Sequence, residues 1–112
     1  MAGKVFVMLS SGNKEMATHV GLVYPLNAAK YKWMDEVKVI VFGPSSRIVA
    51  HDQEVQRMLK DCEAAGVEVL VCKWCADNLG VTGAIEQAGF KVIYVGEIMS
   101  QLLKDGWASL TF

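Results

Sequence analysis

Short apolar runs alternate along the chain with longer segments whose apolar residues recur at helical spacing. Runs of this kind, separated by loops rich in glycine and serine, are typical of strands buried on both faces of a sheet. The predicted strands are Val5–Leu9, Val37–Phe42, Val67–Cys72, Lys91–Val95 and Trp107–Thr111. The predicted helices are Lys14–Tyr31, His51–Ala65, Ala76–Leu79, Thr82–Ala88 and Glu97–Lys104. This alternation predicts an α/β fold, a three-layer αβα sandwich with a mainly parallel sheet of about five strands.

The first predicted helix carries apolar residues around most of its circumference, and Asn13 is its expected N-cap. Pro25 lies inside it, which predicts a kink there or a break into two segments. Because one sheet can cover only one side of such a helix, we expect the segment Val20–Tyr31 to take part in an oligomer contact. The residues that a monomer would expose are Leu22, Val23, Tyr24 and Leu26.

Length and charge limit the possible partners. The 112 residues predict one domain, residues 1–112, and the net charge of −1 arises from interspersed acidic and basic residues. No basic cluster and no long apolar run is present, which argues against nucleic acid and membrane as partners. The three cysteines lack the spacing of a disulfide framework, and no signal-peptide pattern precedes the first strand. These features predict a protein of the reducing cytoplasm.

Chemistry is expected at one rim of the sheet, because ligands of open parallel sheets bind beyond the carboxyl ends of the strands. The predicted loops there offer hydroxyl groups, backbone amides, one arginine and two thiols, which suits sulfur chemistry or a small anion. The polar candidates for this rim are Ser10, Ser11, Ser45, Ser46 and Arg47. Ser45 and Ser46 are more typical of a turn after the second strand than of an anion contact, and Arg47 is more typical of an exposed surface charge than of a ligand group. The stretch Arg47–Ala50 is predicted to be a short extended piece or turn.

Cys72 and Cys75 form a CxxC pair at the predicted end of the third strand. A thiol between a strand end and a helix start can be activated as a nucleophile, so Cys72 is the leading candidate for attacking or carrying sulfur. Both cysteines can also be ordinary core residues, since free cysteine is among the most buried residue types. Cys62 is expected in the core, and His19 and His51 lack ligand spacing, so zinc is not expected. No nucleotide motif is present, and no cofactor is expected.

The three tryptophans are expected to anchor the core or an interface. For Trp33 and Trp107 the sequence predicts no other role. Trp74, which lies between the two cysteines, could in addition shield the Cys72 thiol from water.

The segment Cys72–Val81 resembles the DsrE/DsrF-like family of small sulfur-relay and related proteins, whose motif is C-x-x-[C/A]-x-x-x-x-G after a hydrophobic strand. Val41–Pro44 and Leu103–Phe112 match more weakly. The resemblance implies a parallel αβα sandwich that assembles as a homotrimer or homohexamer, and it implies that the position of Cys72 can carry persulfide sulfur. Family members often have arginine before the motif glycine, where this chain has Leu79.

Three functions follow from these residues. The first is a sulfurtransferase-type carrier that receives sulfane sulfur on Cys72 from a donor protein and passes it to an acceptor protein, with Cys75 resolving the persulfide or only packing. The second is a redox module in which Cys72 and Cys75 cycle through a disulfide. The third is a ring-forming subunit whose cysteines are unreactive. A neighbouring subunit is expected to be able to supply the positive charge that Leu79 does not.

Overall fold

The alternation of strands and helices is present in the structure, a computed structural model that describes residues 3–112. The strands are β1 (Lys4–Leu9), β2 (Glu36–Val41), β3 (Glu68–Cys72), β4 (Lys91–Ile93) and β5 (Ala108–Thr111). The helices are α1 (Lys14–Met16), α2 (Val23–Lys30), α3 (Ser45–His51), α4 (Gln53–Ala64), α5 (Lys73–Asn78), α6 (Thr82–Gln87) and α7 (Gly96–Lys104). No helix within residues 3–112 has the length and apolar composition needed to cross a membrane.

All strand pairs are parallel, and the order across the sheet is β4-β3-β2-β1-β5. The chain builds β1 to β4 stepwise toward one edge and then returns through α7 to place β5 beside β1. Right-handed crossovers put helices on opposite faces when the direction of this progression reverses. The predicted α/β sandwich with a parallel five-stranded sheet is therefore confirmed.

The two faces of the sheet pack against different helices. Val5, Val7 and the equivalent positions of β2 and β3 form one core with residues of α2, α3, α4 and α6. Phe6 and the alternate positions face α7 and Trp107 in a second, smaller core. Helix α5 stands at the carboxyl end of β3 and contributes to both cores, with Ala76 in the first and Cys75 in the second.

The first predicted helix is broken, as expected, but the break precedes Pro25. Asn13 caps α1 by accepting a hydrogen bond from the backbone of Met16, and a π-helical turn at Ala17–Gly21 separates α1 from α2. Pro25 then lies in the first turn of α2, where its missing N–H costs little. The wider turn directs Leu22 into the core with no exposed surface, so the prediction that a monomer would leave it in water is wrong.

The stretch after β2 also differs from its prediction. Arg47–Ala50 is helical, because α3 begins at Ser45 and continues to His51. Asp52 then adopts an extended conformation and caps α4 through a hydrogen bond from the Val55 amide. The β-branched residues of this stretch favoured an extended reading, but burial against the sheet outweighs that local preference.

Candidate active site

Cys72 is the last residue of β3 and immediately precedes α5. Its position on the sheet is fixed by parallel pairing with Ile93 of β4. Because alternate side chains of a strand point to opposite faces, Cys72 shares its face with Leu70 and lies in the smaller core. The residue is only 3% exposed, so a reagent reaches its thiol through the adjoining cavity rather than from the open surface.

A cavity of about 560 Å³ opens beside Cys72 at the carboxyl rim of the sheet. Its volume lies in the range of small-molecule sites. The cavity is lined by Phe42, Cys72, Trp74, Tyr94, Val95, Gly96 and Glu97. Aromatic and aliphatic groups thus form most of the lining, and the first residues of α7 close one side. A group bound to Cys72 here would lie in a mostly apolar cleft whose rim residues Trp74, Tyr94 and Glu97 are exposed.

Cys75 lies in the first turn of α5 and is 4% exposed. A second, smaller cavity of about 140 Å³ reaches it, lined by Gly43, Pro44, Trp74, Cys75, Asn78 and Leu79. Burial raises the pKa of the Cys75 thiol, and a hydrogen bond with the Cys72 side chain raises it further. The backbone amide of Gly43 acts in the opposite direction on this pKa by donating to the sulfur. Cys75 therefore holds its proton next to Cys72.

No cation lines the Cys72 cavity among residues 3–112; its charged side chain is that of Glu97. Lys73, the neighbour of Cys72 in sequence, instead pairs with Asp77. The interaction with Asp77 raises the pKa of Lys73. The pKa of Asp77 is lowered, first by a hydrogen bond from the Thr82 hydroxyl and then by the interaction with Lys73. Thr82 is the first residue of α6, and its hydroxyl donates to Asp77 rather than capping the helix.

The structure does not bring the predicted polar rim residues to this cavity. Ser10 and Ser11 bind the carbonyl oxygen of Phe112 through their backbone amides, which fastens the chain end beside β1. Ser45 and Ser46 are fully buried in α3 rather than lying in a turn. The Ser45 hydroxyl donates to the carbonyl oxygens of Leu9 and Phe42, whereas the Ser46 hydroxyl has no hydrogen-bond partner.

Arg47 is exposed on α3 and makes no ion pair with the carboxylates described in the structure. Like the four serines, it does not line the Cys72 cavity. The hydroxyls of Ser10 and Ser45 donate to backbone carbonyls at the strand ends, the Ser11 hydroxyl accepts from the Asn13 amide, and arginine remains in water. The anion-binding role of these five residues thus has no support from the cavity.

Two aromatic residues at the site carried only a weak sequence signal. Trp74 is 65% exposed and Tyr94 is 64% exposed, and both line the Cys72 cavity. Trp74 was expected to anchor the core or an interface, and Tyr94 to lie within the fourth strand, which ends one residue earlier. Of the other tryptophans, Trp107 is buried and Trp33 is exposed. The position of Trp74 between the two cysteines was the one feature of the sequence that could have indicated its place at the site.

The third cysteine is separate from the site. Cys62 is completely buried in α4, as expected, and burial raises its pKa to about 12, with smaller contributions from Asp61 and Glu63. Within residues 3–112, no group of three or more histidine, cysteine or acidic side chains could hold a metal ion. All three cysteines are free thiols.

The fold and the cysteine position can be compared with known proteins. A family model described as the DsrE/DsrF-like family matches residues 3–112. This chain belongs to the DsrE/DsrF-like family. A comparison with curated proteins finds no significant match.

Solved structures with a fold similar to that of this chain include three proteins of differing identity and coverage. A conserved protein of unknown function from Bacteroides thetaiotaomicron, BT1422, has a TM-score of 0.89 and 28% identity, covering 97% of this chain and 94% of its own. The ychN protein of E. coli has a TM-score of 0.79 and 19% identity over 100% of both chains. A protein of unknown function from Methanobacterium thermoautotrophicum, MTH1491, has a TM-score of 0.74 and 16% identity, covering 98% and 99%. The last two similarities concern the fold alone.

Proposed function

We propose that this protein is a sulfur-relay carrier that holds sulfane sulfur as a persulfide on Cys72. The observation that carries the proposal is the position of Cys72 in an apolar cavity of about 560 Å³ at the rim of the sheet. Membership of the DsrE/DsrF-like family supports it. A buried persulfide is protected from stray thiols, while the cavity leaves a route for a donor and an acceptor.

The loading step requires no cofactor. The Cys72 thiolate attacks the terminal sulfur of a donor persulfide, a sulfur–sulfur bond forms, and the bond within the donor breaks. The donor leaves as a thiolate, and Cys72 becomes a persulfide. In the second half of the cycle an acceptor nucleophile takes the terminal sulfur, and Cys72 returns to a thiolate. We further propose that the cycle takes place in the cytoplasm, which fits the three free thiols.

The proposal is tested by incubating the protein with a low-molecular-weight persulfide, removing the donor, and measuring intact mass. Cys75→Ser, and Cys75→Ser combined with Cys62→Ala, should each gain the mass of sulfur, since neither variant has a second thiol beside Cys72 and Cys62 is completely buried away from the cavity. Cys75→Ser combined with Cys72→Ser should gain none. Absence of added sulfur on Cys75→Ser, or equal addition when Cys72 is also replaced, contradicts the proposal.

A second candidate, a dithiol redox module, is favoured by the position of Cys72 and Cys75 in the same small core at the start of α5. In this function an external oxidant closes the pair to a disulfide without any sulfur transfer. Free thiols are counted after equilibration across a glutathione gradient. A loss of two free thiols in wild type that is absent from Cys75→Ser supports the redox module. An unchanged number of free thiols at every ratio of reduced to oxidised glutathione rejects it.

We also propose that the protein assembles with itself, as a homotrimer or homohexamer. Because Leu22 is buried, the exposed apolar surface is smaller than the sequence indicated. Met16, Val20 and Val23 nevertheless remain between 37% and 40% exposed. Leu110 of edge strand β5 is 41% exposed on the sheet face that packs against these segments. Light scattering at micromolar concentration is the test. A monomer rules out assembly, and Val20→Glu should weaken an oligomer more than Lys91→Glu on the opposite sheet edge.

A further inference from the structure

Cys75 is a second nucleophilic side chain beside Cys72, and it has no role if the protein only carries sulfur on Cys72. Cys72 is the N-cap residue of α5 and Cys75 is the third residue of that helix, two positions whose side chains can approach each other at a helix start. The two residues belong to the same small hydrophobic core and are 3% and 4% exposed. Trp74 lines both the cavity of Cys72 and that of Cys75, so its side chain lies between two separate routes to the pair.

We propose that Cys75 is a resolving cysteine that discharges the persulfide of Cys72 as sulfide and leaves a Cys72–Cys75 disulfide. The inference rests on the proposed function, because it needs a persulfide on Cys72. The protein then has two ways of unloading. An acceptor in the larger cavity takes the terminal sulfur intact, whereas in its absence the attack by Cys75 releases that sulfur in reduced form.

The step balances without an external oxidant. Cys75 gives up its proton, and its sulfur attacks the Sγ atom of Cys72. The bond between this Sγ and the terminal sulfur breaks, and its electron pair leaves with the terminal sulfur as HS⁻, which takes up the proton to give hydrogen sulfide. The terminal sulfur is reduced to sulfide and the Cys75 sulfur is oxidised to the disulfide level, while the Sγ atom of Cys72 keeps the oxidation state it had in the persulfide. A dithiol reductant, itself oxidised to a disulfide, regenerates both thiols.

The surroundings of Cys75 favour attack on a neighbouring sulfur over reaction with bulky partners. Burial raises the pKa of its thiol, and the backbone amide of Gly43, which lines its cavity, opposes part of that rise. The cavity on its side is only about 140 Å³ and apolar, so bulky acceptors reach Cys72 rather than Cys75. A CxxC spacing at the start of a helix is also the spacing at which redox dithiols close a disulfide.

The first experiment follows the persulfide after loading. Wild type, Cys75→Ser and Cys62→Ala are loaded with a low-molecular-weight persulfide, freed of donor, and kept without oxygen or thiols. Wild type and Cys62→Ala should release one sulfide per chain and lose two hydrogens relative to the reduced protein. Cys75→Ser should retain the added sulfur. Equal retention by wild type, or sulfide release without a disulfide, overturns the inference while leaving carriage on Cys72 intact.

The second experiment tests the attack of Cys75 on the Sγ atom of Cys72 without sulfur loading, whose failure in every variant would reject the proposed function itself. Dipyridyl disulfide is added, so that Cys72 forms a mixed disulfide and Cys75 can expel the second thiopyridone. Wild type should release two thiopyridones per chain and carry no pyridyl group in its intact mass. Cys75→Ser and Cys75→Ala should release one and keep the pyridyl group. A wild type that keeps a stable pyridyl group overturns the inference.

Discussion

The ammonium nitrogen of Lys73 lies 3.0 Å from Oδ2 of Asp77, one turn further along α5. The cation adjacent to Cys72 in sequence is thus neutralised by a carboxylate of its own helix. Asp77 also accepts a hydrogen bond from the hydroxyl of Thr82, which anchors it at the start of α6. The positive charge that a sulfur anion would need is present near the site but is paired elsewhere.

Asp77→Asn should therefore make Cys72 more reactive. Removing the carboxylate leaves Lys73 with an unpaired charge, which stabilises the anionic transition state of thiol attack. Because the pair is exposed and screened by salt, the second-order rate with a neutral alkylating reagent should rise about two- to fivefold. Glu36→Gln, which removes a carboxylate beside Lys4 at the amino end of β2, is the matched control and should leave the rate unchanged. An unchanged rate in Asp77→Asn would show that Lys73 does not act on the site.

Glu97→Gln tests the charge that lines the cavity itself. Glu97 is exposed at the start of α7 and repels an anion at Cys72 through the cavity. Its removal should speed reaction of Cys72 with an anionic disulfide about two- to threefold, with a smaller effect for a neutral reagent. Comparing the reaction rates of the two reagents at low and high salt distinguishes electrostatic repulsion by Glu97 from steric obstruction of the cavity. Equal acceleration with both would indicate that Glu97 only obstructs entry.

Cys62 should titrate only on unfolding. The unfolded chain loses this proton near the ordinary pKa of 9.0, whereas the folded chain keeps it to about 12. The folded state thus holds more protons within this window, so the free energy of unfolding falls as pH rises through it. Urea denaturation at neutral pH and at about pH 10 should show a smaller fall for Cys62→Ala than for wild type. A parallel pH dependence of the two proteins would be incompatible with a buried neutral thiol.

Leu22 and Val23 provide a paired test of the helix break. Leu22 is fully buried, so Leu22→Ala should lower the free energy of unfolding by about 2–5 kcal/mol. Val23 is 37% exposed, so Val23→Ala should lower the free energy of unfolding by only about 0.5 kcal/mol, the usual size of a surface substitution's effect. Denaturant unfolding of both variants at low protein concentration is the measurement. The reverse order of the two costs would place the break elsewhere in the segment.

The fold class could be predicted because apolar runs and helical spacing report directly on which segments a sheet can bury. The positive backbone φ of Gly66 and Gly80 confirms two predicted helix ends, since glycine adopts this conformation without a steric penalty. The helical state of Arg47–Ala50 could not be read in the same way. It depends on packing against the sheet, which outweighs the extended preference of β-branched residues.

The position of Cys72 at the end of a buried strand and the three-residue spacing to Cys75 could be read from the chain alone, because they depend only on the order of residues. What lies around the thiols depended on the folded structure. Folding placed Phe42 and Tyr94 from neighbouring strand ends beside Cys72, and it directed the Ser45 hydroxyl to the carbonyl oxygens of Leu9 and Phe42. A cavity forms where side chains from distant segments meet, and a buried hydroxyl is stabilised by an acceptor that folding brings within reach, so neither could be read from the local sequence.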